Sequence, residues 1–124
     1  YDNDLNEWSA VLKVTHGSKS FLFTGDAESK SEKDMVLAHG SNLKSDVLKP
    51  GHHGSKTSSS QPFLDAVKPS IAVISAGAGN RYGHPTQETL AKLHSMSVNV
   101  YRTDLNGTVI INSDGSNISV RTER

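Results

Sequence analysis

Residues 19–54 read KSFLFTGDAESKSEKDMVLAHGSNLKSDVLKPGHHG, and this stretch contains a strand, a helix and a second strand. KSFLFT is rich in β-forming residues, and DVLK is a second, shorter strand. Between them the sequence predicts a helix over residues 29–39, which begins with a capping box of Ser29 and Glu32 and ends at Gly40. This β-α-β order predicts an α/β fold.

The segments on either side continue the alternation of strands and helices. WSAVLKVTH, at residues 8–16, predicts a strand that forms a hairpin with KSFLFT. The loop PGHHGSKTSSSQP follows DVLK, because it is too rich in Gly, Ser and Pro for a helix or strand. Further predicted elements are a helix over 63–67, a strand over 70–76, a helix capped by Thr86, and strands over 98–102, 108–112 and 117–122. The order β-β-α-β-α-β-α-β-β-β predicts a mixed sheet with helices packed on it.

The composition excludes several classes of protein. The 124 residues suffice for one domain or a piece of one, and 13 basic and 13 acidic side chains give a net charge of 0. No overall field therefore attracts nucleic acid, so any attraction to phosphate must be local. The absence of cysteine excludes disulfides and thiolate metal ligands. No apolar run approaches the roughly 20 residues of a membrane span, and residues 1–10 are too polar for a signal peptide.

Three loops that follow predicted strands contain the polar groups of interest: GDAE at 25–28, GHHGS at 51–55 and GHP at 83–85. Loops that leave the carboxyl ends of strands converge at one edge of an α/β sheet, so we expect these groups to meet. A carboxylate with imidazoles is the ligand set of a hydrolytic zinc or manganese site. The sequence therefore indicates a metal site formed by Asp26 and up to three histidines.

Each of these residues also has a structural interpretation. Asp26 fits a turn or a helix cap, and His84, which precedes a proline, fits a turn. The adjacent pair of His52 and His53 is harder to explain by packing, because a Gly- and Ser-rich loop has no core to fill, and this favours a functional role. The other histidines fit strand or helix positions, and we assign them no role.

Five runs of residues, in order and at matching spacing, resemble the C-terminal part of the metallo-β-lactamase domain in ComEC-type competence proteins. They are NDLNEWSAVL (3–12), FLFTGDAE (21–28), VLKPGHHGSKTSSS (47–60), AVISAGAGNRYGHP (72–85) and VYRTDLNGTVII (100–111). The resemblance implies an αββα sandwich of two pseudo-symmetric halves with a dinuclear metal centre between them. It also implies that residues 1–124 form a single partial domain, the C-terminal half. The family's H-x-[HD]-x-D-H motif belongs to the N-terminal half and does not occur in this sequence.

The resemblance also implies roles for individual residues. Asp26 matches the aspartate that bridges two metal ions, and we favour His53 over its neighbour His52 as the second ligand. His52 and His84 are the predicted catalytic residues, and His84 would hold a phosphate oxygen or protonate a leaving group. The predicted phosphate-binding residues are Ser55, Lys56 and Asn80.

The implied function is a metal-dependent phosphodiesterase or nuclease that acts on DNA during competence-related uptake. The resemblance points to an extracytoplasmic or membrane-attached parent protein. Two or three ligands are fewer than the roughly six that two ions need, so we expect this fragment alone to be inactive. The alternative is a catalytically silent half-domain that binds a partner or self-assembles. A serine nucleophile at Ser55 is disfavoured, because no G-x-S-x-G elbow is present.

Overall fold

The computed structural model describes residues 4–124, so residue 3, where the first matching run begins, lies outside the described residues. Five strands form one sheet in the spatial order β1-β2-β3-β4-β5. Their bounds are β1 Leu12–His16, β2 Lys19–Phe23, β3 Val47–Lys49, β4 Ile71–Ile74 and β5 Asn99–Arg102. β1 is antiparallel to β2, and the other neighbours are parallel. The predicted mixed α/β sheet is therefore confirmed.

The remaining elements follow the predicted order with two differences. The helices are α1 Ser29–His39, α2 Gln61–Val67, α3 Gln87–Ser95 and α4 Thr103–Asn106, and β6 Val109–Ser113 pairs with β7 Ile118–Thr122 as a separate antiparallel hairpin. The strand predicted from residue 8 begins only at Leu12, because Leu5–Trp8 forms a 3-10 helix capped by the Asp4 side chain. The segment between the strands predicted over 98–102 and 108–112 contains the short helix α4. In the described residues, no helix has the length and apolarity that a membrane crossing requires.

The core lies on one face of the five-stranded sheet. Leu22, Leu48 and Ala72 are paired in register across β2, β3 and β4, so their side chains share that face. They pack in one buried cluster with residues of two helices, including Phe63 of α2 and Leu93 of α3. Burial of each large apolar side chain stabilises the fold by about 1.5–3 kcal/mol. The helices are thus fixed against this face.

The predicted capping box of α1 is wrong. The N-cap residue is Glu28, and no side chain within the helix caps the first turn. Instead Glu7, which is only 4 % exposed, accepts hydrogen bonds from the first turn through its carboxylate. The donors are the backbone N–H groups of Glu28, Lys30 and Ser31. A carboxylate from a distant segment can satisfy N–H groups of the first turn as a local box would, so the local pattern could not show which of the two caps the helix.

Glu32, the other member of the predicted box, is fully buried and faces a different segment. Its two carboxylate oxygens accept hydrogen bonds from the backbone N–H groups of Ser59, at 2.6 Å, and Ser60, at 2.9 Å. Burial raises the pKa of Glu32, and these hydrogen bonds offset only part of that effect. The residue therefore ties the loop between β3 and α2 to α1.

The opposite face of the sheet is apolar and only partly covered. Val14, Phe21, Phe23 and Val73 line a groove of about 420 Å³ on this face, together with Val109 and Ile111 of β6. Val14 is 41 % exposed and Phe23 43 %. The other sheet residues of the groove include Val47 and Lys49. An apolar sheet face of this kind is normally buried by a second layer of structure, so the groove marks a packing surface.

The β6–β7 hairpin is fixed over the groove at its tip. The Ser18 backbone N–H donates to the carbonyl of Gly115 at 2.7 Å, in the turn of the hairpin. Gly17 has a φ of 61°, and a Cβ there would collide with the Gly115 carbonyl. The close approach of the two turns therefore requires glycine at position 17.

Candidate metal centre

The three polar loops meet at the carboxyl edge of the sheet. The backbone N–H of His52 donates to the carbonyl of Gly25 at 3.0 Å, and that of Thr86 donates to the carbonyl of Gly54 at 3.0 Å. A Cβ at Gly51 would collide with the carbonyl of Ala27, so glycine is needed where the first two loops touch. The convergence that we expected from the strand order is therefore present.

Asp26 is held by its backbone, and its carboxylate is free to bind a ligand. Its N–H donates to the Ser9 hydroxyl at 3.0 Å, and the following Ala27 N–H donates to the Thr24 carbonyl. The side chain is 44 % exposed. The loop thus fixes where Asp26 lies while leaving its oxygens open to an ion.

His53 faces Asp26 across the gap between two loops. Its Nε2 lies 3.9 Å from the Asp26 Oδ1, and its Nδ1 lies 2.7 Å from the carbonyl oxygen of Ser75. Because a carbonyl can only accept, Nδ1 carries a proton, and the nitrogen that faces Asp26 is Nε2, the one that a metal ion could bind. A metal-binding histidine is typically oriented in this way by a backbone carbonyl.

The two residues fit a divalent ion between them. The 3.9 Å separation lies between the roughly 3.4 Å that two ligand atoms of a tetrahedral ion span with bonds of about 2.0–2.2 Å and the about 4.0–4.3 Å of a linear arrangement, so one ion can contact both atoms. Within residues 4–124, no cluster of three or more His, Asp or Glu side chains has the geometry to hold a metal ion. The described residues therefore do not form a complete metal site, and the roles of Asp26 and His53 as ligands stay a prediction.

The backbone around the histidine pair is strained. His52 has a φ of 49° and His53 one of 55°, and both lie in the left-handed region that non-glycine residues rarely occupy. Each such residue costs on the order of 1 kcal/mol or more. Strain of this kind is concentrated at functional sites, which agrees with the functional interpretation of the pair.

His52 contacts a different carboxylate from that of Asp26. Its Nδ1 lies 3.0 Å from the Oε2 of Glu28, and the Thr57 hydroxyl donates to the same carboxylate oxygen. Sequence reasoning gave Glu28 and Thr57 no role, although both lie in motifs that we quoted. Their partner in space lies more than 20 residues away along the chain, so no local pattern shows the contact.

His84 completes a cluster of three imidazoles. Its ring centroid lies 5.3 Å from that of His52, and the two rings meet edge to face. Burial lowers the pKa of His84, and the neighbouring His52 and His53 lower it further. The ring is therefore mostly neutral at neutral pH, with one N–H available as a donor.

The predicted phosphate-binding residues lie around these loops with different roles. Ser55 is buried and its hydroxyl hydrogen bonds with Thr57 at 2.8 Å, so the described structure does not pair it with an imidazole. The Asn80 amide donates to the carbonyls of Gly77 and His84 and accepts from backbone N–H groups of its own loop. Lys56 is exposed. Phosphate binding by Ser55, Lys56 and Asn80 stays a prediction.

The chain contains the sequence pattern of a known family. Residues 4–78 match the family model described as the metallo-beta-lactamase superfamily, which is more than half of the 124 residues. The chain belongs to the metallo-beta-lactamase superfamily. Its mixed sheet with packed helices agrees with that membership.

Several relatives of the chain carry names connected with competence. The chain is 45 % identical over 106 residues to competence protein ComA of Neisseria gonorrhoeae, which covers 86 % of this chain and 15 % of the relative. It is 45 % identical over 104 residues to ComE operon protein 3 of Bacillus subtilis, covering 84 % and 13 %. Recombination protein 2 of Haemophilus influenzae is 41 % identical over 107 residues, covering 86 % and 13 %. The resemblance to ComEC-type competence proteins is confirmed, and the chain spans only a small part of these relatives.

Proposed function

We propose that this chain is the C-terminal half of a metal-dependent hydrolase domain that cleaves phosphodiester bonds in DNA, within a competence protein. The observation that supports this most directly is the pair of Asp26 and His53, whose ligand atoms lie 3.9 Å apart. A carboxylate and a neutral imidazole at this separation suit zinc or manganese. The names of two relatives support a competence-related role, and a membrane-attached, extracytoplasmic parent protein is part of the proposal.

The remaining ligands come from an N-terminal half-domain in this proposal. Two observations support such a partner: the described residues contain no group of three or more side chains that could hold a metal ion, and the second sheet face is an open apolar groove. A half-domain that packed on this groove would form the αββα sandwich and would bring its own ligands to the same edge. When bound, a divalent ion polarises a phosphoryl oxygen and lowers the pKa of a water molecule towards neutrality.

The other residues of the site orient the substrate and one another. Glu28 acts as a positioning residue, because its carboxylate holds the His52 Nδ1 and leaves the opposite ring nitrogen to face the loops. Thr57 in turn holds that carboxylate. His84, as a neutral imidazole, donates its N–H to a non-bridging phosphate oxygen. The exposed ammonium group of Lys56 supplies a local positive charge on the same loop.

The test is hydrolysis by this chain joined to its proposed N-terminal half. Asp26→Ala and His53→Ala should lower turnover of single-stranded DNA with manganese or zinc by about 100-fold or more, since changes to the partners of metal ligands already cost about 10- to 100-fold. His94→Ala, on α3, is the matched control and should leave turnover unchanged. Metal content, measured by elemental analysis, should fall in the first two variants only. Full turnover by both of these variants would refute the assigned ligands.

A second candidate function rests on the exposed groove. A chain with Val14 and Phe23 more than 40 % exposed on one sheet face has a surface suited to self-association. In that case the chain is a silent assembly module, and the groove is covered by a second copy. Sedimentation of the 124-residue chain decides between the two, because a monomer at high concentration excludes the assembly module.

A further inference from the structure

Beside the proposed metal ligands lies a small pocket of about 190 Å³. Its lining residues are His53, Ala76, Gly77, Asn80, Tyr82 and His84. Pockets for whole small-molecule ligands measure about 300–1,000 Å³, so this one suits a single ring system that belongs to a larger ligand. Because His53 forms part of its wall, a ligand in the pocket lies next to the proposed reaction centre.

Tyr82 is the most unusual residue of this pocket. Its side chain is 70 % exposed, although a large aromatic ring is usually buried to a greater extent. The ring is nearly parallel to that of His84, with an interplanar angle of 27° and a centroid separation of 5.9 Å. The guanidinium carbon of Arg81 lies 5.6 Å from the Tyr82 centroid. An exposed aromatic ring, an imidazole and a cation thus form one surface.

The loop that carries this surface is ordered by its own hydrogen bonds. Asn80 accepts from the backbone N–H groups of Tyr82 and His84 and donates to the carbonyl of His84 at 2.6 Å. Thr103, the first residue of α4, hydrogen bonds through its hydroxyl with the backbone N–H and carbonyl of Ala76. A platform held in this way loses little conformational freedom when a ligand binds.

We propose that Tyr82, supported by Arg81 and His84, is a stacking platform for the unpaired base next to the scissile phosphate. This rests on the proposed function, because it assumes a DNA substrate. Aromatic rings with a nearby arginine bind successive bases of single strands without reading sequence. A duplex does not offer a base in this way, since its bases are already stacked on each other. The ligand class is therefore single-stranded DNA.

The charge of the chain supports a stacking contribution. With 13 basic and 13 acidic side chains, the chain has little electrostatic attraction for DNA. One local cation is also neutralised, because Arg102 forms a bidentate pair with Asp104. Lys44 lies before β3, at the opposite edge of the sheet from the site, and its ammonium group donates to the carbonyl of Lys68. Base stacking supplies affinity that these charges do not.

The experiment compares the binding of two fluorescein-labelled strands: an oligothymidylate of about eight nucleotides and an abasic phosphodiester strand of equal length. This length lies within the site size of single-strand-binding surfaces. The 124-residue chain is titrated by fluorescence anisotropy without metal. Tyr82→Ala should weaken binding of oligothymidylate by about 5- to 100-fold and leave the abasic strand unchanged. Tyr82→Trp should restore binding. Leu37→Ala, which removes an equally exposed side chain from α1, is the control.

A second variant tests the pocket without touching the ring. A Cβ at Gly77 meets nothing within 4 Å, and its backbone is not in the left-handed region, so Gly77→Val fits the fold while narrowing the pocket. It should weaken binding of oligothymidylate but not of the abasic strand. The stacking proposal would be refuted if the unmodified chain and every variant bound the two strands equally well.

Hydrolysis by the complete domain separates this inference from the proposed function. If the domain cleaves DNA but Tyr82→Ala affects both strands alike, the platform is wrong and the hydrolase stands. If Tyr82→Ala discriminates between the strands in binding but the domain cleaves neither, the hydrolase is wrong and the platform stands.

Discussion

The carboxylate of Glu7 holds the loop that carries Asp26, and its replacement by glutamine gives a prediction that can be worked from the hydrogen bonds. The Oε1 of Glu7 accepts from the Glu28 N–H at 2.8 Å and from the N–H and hydroxyl of Ser31 at 3.2 and 2.8 Å. The Oε2 accepts from the Lys30 N–H at 3.0 Å. Glutamine has one acceptor oxygen, so its NH₂ group must face one of these donors.

The expected loss of stability for Glu7→Gln follows from two effects. A buried N–H without an acceptor costs about 1–3 kcal/mol. Removal of a negative charge from a helix N-terminus costs about 0.3–1 kcal/mol more. We therefore expect the free energy of unfolding at pH 7 to fall by about 2 kcal/mol, and by more for Glu7→Ala, which removes every acceptor at once.

The pH dependence of this loss has a definite sign. Burial raises the pKa of Glu7, but hydrogen bonds from Ser31, Glu28 and Lys30 outweigh it and hold the pKa below its usual value of 4.5. The stability that the carboxylate contributes is therefore present above pH 4.5 and is lost as the pH falls through the lower pKa of the folded state. The difference between the chain and Glu7→Gln should thus shrink from pH 7 to pH 4.

Urea unfolding followed by circular dichroism measures both quantities. Ser95→Ala, at the far end of α3, serves as a control for a lost surface hydrogen bond. A Glu7→Gln variant within 0.5 kcal/mol of the unmodified chain, or a deficit that does not change with pH, would show that Glu7 does not cap α1.

Three further outcomes follow from other contacts. Glu32→Gln should show the opposite trend with pH. Burial raises the pKa of Glu32, so its stabilising contribution is complete below pH 4.5 and is lost as the pH rises through the pKa of the folded state. In urea unfolding, the difference in the free energy of unfolding between the variant and the unmodified chain should therefore shrink towards high pH. Gly17→Ala should lower the free energy of unfolding by about 1–3 kcal/mol or more. Gly40 also has a positive φ, but an added Cβ there meets nothing within 4 Å, so Gly40→Ala should lower it clearly less in the same assay. Thr86→Ala should cost about 1 kcal/mol, because the Thr86 hydroxyl caps α3, and a thermal midpoint unchanged from the unmodified chain would contradict this.

The order of helices and strands could be predicted because each element carries its own pattern in the sequence. KSFLFT contains β2, which pairs with β3, and SIAVISA contains β4, which pairs with β5. Thr86 caps α3, as its position in the sequence indicates. The cap of α1 could not be predicted, because a local Ser29 and Glu32 fit the rule while the group that binds the helix is Glu7, more than 20 residues earlier. Patterns report on neighbours along the chain, and this contact is distant.

In the candidate site, too, some features could be predicted from the sequence and others could not. The sequence predicted that the loops of Asp26 and of the His52–His53 pair converge, since each follows a strand, and the structure brings them together. The choice of His53 over His52 as a ligand has no such pattern behind it and stays a prediction. Glu28 and Tyr82 escaped notice for a physical reason: their importance lies in contacts with His52 and His84, and neither contact has a spacing rule. Their residue types alone fit any exposed loop.

Two buried carboxylates explain how the chain itself holds Asp26 and His53 with 3.9 Å between Oδ1 and Nε2. Glu7 binds the backbone beside Asp26, and Glu32 binds the backbone of the loop that follows His53. Burial of a carboxylate is unfavourable, and the raised pKa of Glu32 shows that its hydrogen bonds do not fully offset that cost. An apolar residue at either position would avoid this cost but would leave the bound backbone N–H groups without acceptors. The cost is understandable if the loops must be rigid, because a preformed pair of ligands binds an ion without first ordering the chain.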